Sequence, residues 1–410
     1  MFVHRIGGVV LGTLVLSTTL VRVGSAQTNS GSEVTLDLGG YVRSLTGFQD
    51  LGYDPIVTDR RVGFNSEVIR LKWLVDVGGW LRLNVHNRLQ SQYSSSGGGG
   101  GRDVLGFGVS AVPGRSIDLE TTLVDEDHLR VWHDLDRLAV TIYSDVVDLT
   151  IGRQAITWGI SNLFPIADLW AQFSPFELDT EEKPGLDAIR ALMYPADGVE
   201  LDAVIADRGS SRDLSAGIRA TIELPVADVY VGAGKFWREL IGLAGASFVI
   251  DKWKVRGEIG VPWEIDDEDL RRIRATIGAD WISSSMLFSL EYHHNGLGSN
   301  RSEQYASLLA TAEYARGETY YLGRHMLGAL ASIRPSDRLT LAASSLVNMG
   351  DPSVALTPNA TYDFGQNTRV SIGGLFSFGT APQFLGPVPQ LESEFGTYGD
   401  FAYTQISVYF

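Results

Sequence analysis

The chain has 410 residues, no cysteine and a formal net charge of −16. The lack of cysteine excludes disulfide scaffolds, thiolate metal sites and cysteine nucleophiles. The negative net charge argues against binding to nucleic acid. Glycine is abundant at 46 residues and aromatic residues make up 10%, which is typical of a chain built from many short strands.

The N-terminus has the pattern of a cleaved secretory signal. Basic residues at His4 and Arg5 precede an apolar stretch of about sixteen residues, which is short for a membrane anchor. Small residues at Gly24-Ser25-Ala26 suit a signal peptidase. We therefore predict a signal peptide over residues 1–26 and a mature chain over 27–410. The mature net charge is −18, since two arginines leave with the signal.

Strand periodicity begins soon after the signal. In VIRLKWLVDV, Ile69, Leu71 and Trp73 share one face, while Arg70 and Lys72 share the other. The same alternation recurs in WLRLNVHNRLQ, VELDAVIAD, VRGEIGV, RRIRATIGADW and RVSIGGLFSF. A helical period fails here because charges would lie on every face of the helix. These stretches are predicted β-strands.

Short turns and long loops alternate between the predicted strands. A transmembrane barrel has this order, with short periplasmic turns and longer external loops. We count about eighteen strands and predict an all-β fold, a transmembrane antiparallel up-and-down β-barrel. A soluble secreted sandwich or propeller is the alternative, but no repeat of about forty residues is found. The main long connections are predicted at residues 51–66, 94–118, 159–187, 295–320 and 380–399.

Cationic side chains dominate the polar face of the first strands. If the apolar face contacts lipid, these arginines line a lumen and would draw anions along one wall. Alternatively, they pair with the inward carboxylates Asp76, Asp134, Glu200, Asp202, Glu258, Asp280 and Glu291 and hold the wall rigid. The predicted pore-lining residues are Arg70, Lys72, Arg82, His86, Arg88, Arg130, Arg153, Gln154, Arg190, Arg272 and Arg274.

Residues 159–186 form a segment that is too aromatic for a solvated surface loop. We predict that this segment folds into the lumen as a constriction loop whose acids face the basic wall. The alternative is an external loop packed on its neighbours. The predicted constriction residues are Trp158, Asp168, Trp170, Glu177, Asp179, Glu181 and Glu182.

The sequence GRQAITWG at residues 152–159, followed by Phe164-Pro165 and Asp168, resembles a motif of Gram-negative outer-membrane porin-like barrels, including the alginate-export-type family. The terminal strand FAYTQISVYF, ending on Phe410, is similar to their closing strand. The resemblance implies passive passage of a small or polymeric solute. It also implies contact with outer-membrane lipid and lipopolysaccharide, and with the barrel-assembly machinery through the C-terminal strand.

The same resemblance places Arg153 and Gln154 at the constriction. Strict alternation from Ile151 would instead direct Arg153 outward. Either Gly152 bends the strand, or Arg153 lies above the hydrocarbon and pairs at the rim.

These patterns predict an exported Gram-negative outer-membrane porin for small, anionic or carboxylated solutes. An exporter of acidic polysaccharide and a non-conducting structural or adhesin barrel are the alternatives. No HExxH or His-x-His motif occurs in the sequence, so no enzyme, metal site or cofactor is predicted. Homo-oligomerisation is left open.

Overall fold

The computed structural model describes residues 34–50, 61–96, 115–178, 180–262, 272–383 and 390–410. Within these ranges the chain is almost entirely β-structure. The strands are β1 (Val34–Asp50), β2 (Arg61–Val77), β3 (Leu81–Ser94), β4 (Glu120–Asp125), β5 (Leu129–Ile142), β6 (Val147–Gln154), β7 (Leu186–Ala196), β8 (Val199–Ala206), β9 (Ser215–Leu224), β10 (Ala227–Phe236), β11 (Glu239–Ile250), β12 (Trp253–Pro262), β13 (Arg274–Ile282), β14 (Met286–His294), β15 (His325–Ser336), β16 (Leu339–Asn348), β17 (Ser353–Asp363), β18 (Thr368–Phe378) and β19 (Phe401–Tyr409).

The short helices lie in the long β14–β15 and β18–β19 loops. The α-helices are α1 (Tyr305–Leu309) and α2 (Ala312–Ala315), and 3-10 turns cover Ser302–Gln304 and Phe395–Thr397. No helix in the described part of the chain is long and apolar enough to cross a membrane.

The sheet closes on itself. β1 pairs antiparallel with both β2 and β19, and the backbones of Gly40 and Phe410 exchange hydrogen bonds of 2.9 and 3.1 Å. β4 and β6 share one edge of β5, while β3 covers the other edge. The 19 described strands therefore occupy 18 positions around the barrel. The predicted strand number and antiparallel closure are confirmed, and no sheet edge is left unpaired at the seam.

Alternate residues face opposite sides of the wall. On β2, Trp73 is 46% exposed and Arg70 is 1% exposed; on β19, Ile406 is 44% exposed and Ser407 is fully buried. The exposed set is apolar, as it is on the lipid side of a membrane barrel. The predicted assignment of faces is therefore correct for these strands.

Two tryptophans beside the short turns point outward, as expected for an interfacial belt. Trp80 and Trp253 are 51% and 52% exposed. Trp237, beside a long loop, is instead buried between the guanidinium groups of Arg208 and Arg316, which lie 4.8 and 5.2 Å from its ring centre.

A β-bulge in β5 changes which side chains face inward. His86 pairs with Arg137, but the next residue, Asn87, pairs with Leu135, so Asp136 is an extra residue. Asp136 and Arg137 are consequently both buried, and Leu138 points outward. Strict alternation would have placed Arg137 on the lipid side.

Two strand boundaries differ from the sequence prediction. β2 begins at Arg61, whereas the loop was predicted to continue to residue 66. β4 was not predicted and forms a hairpin with the start of β5. Both extensions lengthen the wall on the side of the long loops.

Candidate functional site: the barrel lumen

The segment between β6 and β7, residues 155–185, folds inside the barrel and is called the inner loop below. Glu258 on β12 holds its first part. The Glu258 carboxylate accepts hydrogen bonds from the backbone N–H groups of Ile160 and Ile166 at 2.8 and 2.9 Å, and from the Tyr230 hydroxyl at 2.8 Å. A buried carboxylate with three donors is a strong anchor.

Glu291 on β14 holds the next part of the inner loop in the same way. Its carboxylate accepts hydrogen bonds from the backbone N–H groups of Asn162, Leu163 and Phe164 at 2.7, 2.9 and 3.2 Å. Arg256 donates to the same carboxylate at 2.6 Å, which compensates its burial. The inner loop is therefore attached to the wall through five of its own backbone N–H groups.

Aromatic packing fixes the loop against β7–β11. The rings of Trp158 and Trp170 meet edge to face at 5.0 Å, and Trp170 contacts Phe236 at 4.8 Å. The Trp158 indole N–H donates to Asp202 at 2.7 Å. Trp158 and Trp170, predicted constriction residues, are thus buried and attach the loop to the wall. Neither lines the open cavity described below.

Asp168 and Lys183 join the two halves of the inner loop. Asp168 accepts from the Trp158 backbone N–H at 2.9 Å and from the Lys183 ammonium at 2.5 Å. Burial lowers the pKa of Lys183 below its ordinary value, although Asp168 opposes this effect. Asp168 therefore stabilises the fold of the loop by linking its two halves.

The final part of the inner loop brings acids to the basic side of the barrel. Glu181 pairs with Arg43 at 2.6 Å, and Glu182 pairs with Lys72. The predicted contact between loop acids and basic wall is observed for these two residues. Glu177 borders the open cavity described below, and Asp179 lies outside the described residues.

The charged side of the lumen is a network of buried ion pairs. Arg70 pairs with Asp136 at 2.7 Å, and Asp134 contacts Arg88, Arg115 and Arg153 at 3.2, 2.9 and 3.4 Å. We define the basic wall as Arg43, Arg70, Lys72, Arg88, Arg115, Arg137 and Arg153. Its described ion-pair partners Asp134, Asp136, Glu181, Glu182 and Asp187 number five against seven cations, a formal net charge of +2.

Arg153 is turned into the barrel by Gly152. Gly152 has a φ of +116°, a conformation that favours glycine, so the strand bends at this point. Arg153 is 1% exposed and donates to Asp187 at 2.9 Å and to the Leu135 carbonyl at 3.0 Å. Of the two possibilities for Arg153, the structure shows the bend. Gln154 is also buried, donating to the Ala188 carbonyl at 3.2 Å.

The other predicted pore-lining residues are distributed around the circumference. Arg82 pairs with Asp76 at 2.7 Å, Arg130 with Glu120 at 3.0 Å, Arg190 with Asp202 at 2.7 Å, and Arg272 with Glu239 and Glu313. His86 lies 3.9 Å from Glu182, and Arg274 is buried beneath the loops at the start of β13. Arg70, Arg153, Gln154 and Arg274 thus do not border the open lumen. Most of the predicted cations have a carboxylate partner, as the pairing interpretation expects.

An open cavity of about 360 Å³ lies between the inner loop, at Pro175–Leu178, Thr180 and Glu181, and strands β16–β19, next to Arg43 of the basic wall. Phe176 borders it from the loop, and Phe401 and Tyr403 from β19. None of the eleven predicted pore-lining residues is among its described lining residues, although Arg43 and Arg369 are. The open space therefore adjoins a wall that the sequence analysis did not select.

Sequence reasoning missed Arg43, Arg115 and Arg137. Arg137 was missed because the bulge in β5 reverses its expected outward direction. Arg115 was missed because it belongs to a loop predicted to be external. Glu258 and Glu291 were recognised as inward acids but were given no role. No signal in the sequence distinguishes them from the other inward acids, since Glu258 lies only two residues after the inward Arg256.

No protein-family model and no curated protein matches the chain. Solved structures are similar to it. They include Acinetobacter baumannii OccAB2, with a TM-score of 0.56 at 9% identity, covering 92% of this chain and 98% of that chain. Acinetobacter baumannii OccAB1 has a TM-score of 0.53 at 8% identity, covering 94% and 99%. The outer membrane protein OprD from Pseudomonas aeruginosa has a TM-score of 0.52 at 9% identity, covering 92% and 93%.

At these identities the likeness shows the fold, that of an outer-membrane porin barrel. The outward apolar face supports the predicted outer-membrane location. The narrower resemblance to the alginate-export-type family, and its motif around Arg153, stays a prediction.

Proposed function

We propose that this protein is a passive channel for small solutes in the Gram-negative outer membrane. The observation that carries the proposal is an open cavity beside an inner loop within a closed barrel. Side chains at such a constriction determine which solutes pass. The cavity of about 360 Å³ lies in the size range of small-molecule sites.

The proposal includes a preference for anionic or carboxylated solutes. The basic wall keeps a formal charge of +2 after its described ion pairs are counted. Arg82 and Lys72 remain 40% and 35% exposed in their side chains, so they can act on ions in the lumen. Their effect on ions weakens at high salt.

The test is reconstitution of the full-length protein in planar bilayers. Stepwise currents are expected, with a reversal potential that favours anions. Replacing Arg82 and Arg130 by glutamine should shift that potential toward cations. The control is Arg238→Gln, which removes a similar arginine–aspartate pair from the exposed β10–β11 hairpin. Absence of steps would instead support a non-conducting structural barrel, and steps with an unchanged potential would contradict only the anion preference.

The same proposal includes export by the signal at residues 1–26 and assembly through β19. Contact with lipopolysaccharide is part of it as well.

A further inference from the structure

The wall beside the open cavity has a distinct chemistry. We define the hydroxyl wall as the uncharged polar residues that line the cavity on β16–β19, namely Ser344, Thr357, Asn359, Thr361, Ser371 and Gln405. Strand register places them side by side. Ser344 lies opposite Thr357, Thr361 opposite Ser371, and Ser371 opposite Gln405. The hydroxyl wall is therefore a continuous surface formed by four neighbouring strands.

Hydrogen bonds orient these groups relative to one another. The Thr361 hydroxyl donates to Asn359 Oδ1 at 2.9 Å, so the 2.9 Å contact between Thr361 and Ser371 must use the Ser371 proton. Asn359 in turn donates to the Tyr403 hydroxyl at 3.0 Å. Tyr403 itself lines the cavity, so this chain of hydrogen bonds ends at the open space. The surface offers both donors and acceptors at fixed positions.

Three charged residues that line the cavity, Arg43, Glu181 and Arg369, form one chain of ion pairs. Glu181 contacts Arg43 at 2.6 Å and Arg369 at 3.8 Å, and Arg369 also pairs with Asp363 at 2.9 Å. Ion attraction at this position is weakened by the pairing, so hydrogen bonding determines what binds. The rings of Phe176, Phe401 and Tyr403 add apolar faces, and a pocket with apolar faces and a few placed polar groups is typical of small-molecule sites.

We propose that this cavity selects polyhydroxylated solutes: sugars, sugar alcohols or sugar acids. Their hydroxyl groups exchange hydrogen bonds with water for hydrogen bonds with the hydroxyl wall, while their C–H faces lie against the rings. A solute of similar size without these hydroxyls would leave the fixed donors and acceptors unpaired, which is costly. The inference rests on the proposed channel function and adds the substrate class.

The experiment records current through the reconstituted full-length protein with sorbitol, gluconate or triethylene glycol. Sorbitol and gluconate are expected to reduce the current at lower concentrations than triethylene glycol, which has few hydroxyl groups. Comparing gluconate with sorbitol then shows whether the basic wall acts on the same solute. Equal effects of all three solutes would overturn the inference while leaving the channel function intact. Absence of any current would overturn both.

Variants assign the effect to the hydroxyl wall. Thr361→Val and Ser371→Ala each remove a hydroxyl with little change in shape, and each should raise the sorbitol concentration that halves the current by about two- to tenfold. The matched control is Thr150→Val, because Thr150 and Thr141 form a similar 2.9 Å hydroxyl pair on β5–β6. An equal effect of Thr150→Val would overturn the assignment. Heat-modified gel mobility confirms barrel formation; if a variant does not fold, the three-solute comparison on the unmodified protein decides.

Discussion

Single residues decide which side chains enter the lumen. Gly152 and the bulge at Asp136 each interrupt the alternation of a strand, and both direct an arginine inward. The two arginines, Arg137 and Arg153, then join the same ion-pair network. A local change of backbone conformation thus sets the charge of the basic wall.

Replacing Gly152 by alanine should disrupt barrel assembly. The positive φ disfavours any L side chain, and the added Cβ would overlap the Leu138 carbonyl oxygen. Strained backbone of this kind costs about 1–3 kcal/mol, before the overlap is counted. The fraction of heat-resistant folded barrel after refolding into detergent measures the effect. Gly242→Ala is the control, since its nearest neighbour would lie 3.9 Å away; equal refolding of both variants would contradict the prediction.

Each strand of the barrel has one face toward lipid and one face toward the lumen. β19 shows this clearly, because Ile406 points outward and the adjacent Gln405 lines the cavity. Both lie in the sheet and pair with β1 and β18. The element therefore tolerates charge on one face only.

Ile406→Lys should destabilise the barrel more than Gln405→Lys. A lysine on the lipid face costs about 2–4 kcal/mol near the membrane midplane, whereas a lysine in the lumen remains solvated. The free energy of unfolding in lipid vesicles, measured by urea titration, checks this expectation. Equal destabilisation by the two variants would show that the outward face of β19 does not contact lipid.

At the scale of the whole molecule, Glu394 joins three loops above the barrel. Its buried carboxylate accepts from the backbone N–H groups of Leu322 and Gly323 at 2.8 and 2.9 Å, and from Asn348 at 2.8 Å. Its own N–H donates to Asp351 at 2.7 Å. The loops after β14, β16 and β18 are thus held together.

The stability of this loop assembly should depend on pH. Burial raises the pKa of Glu394 from the ordinary 4.5 to about 7, because it disfavours the charged form. Between these values the folded state keeps a proton that the unfolded chain releases. The contribution of Glu394 is therefore present below pH 4.5 and is lost as the pH rises through about 7.

The measurement is the difference in thermal midpoint between the natural protein and Glu394→Gln across this range. The difference should fall as the pH rises, since glutamine stays neutral throughout. The exposed Glu303, in the same loop region, supplies the control as Glu303→Gln. A difference that is constant with pH would contradict the buried titration of Glu394.

The amino-acid sequence by itself determined the barrel, the number of strand positions and the lipid-facing side of regular strands such as β2 and β19. The physical reason is local: every second side chain of a membrane-spanning strand faces lipid, so the strand has an apolar residue at every second position. It also indicated that the aromatic segment after β6 folds inward, because its side chains need a place to bury.

Only the tertiary structure decided which charges cancel and where the lumen stays open. Those outcomes depend on partners far apart in sequence, such as Glu181 with Arg43 and Asn162 with Glu291, 138 and 129 positions apart. No local period encodes such pairs. The hydroxyl wall could not be predicted for the same reason. Its serines and threonines form one surface only because four strands bring them together around one cavity.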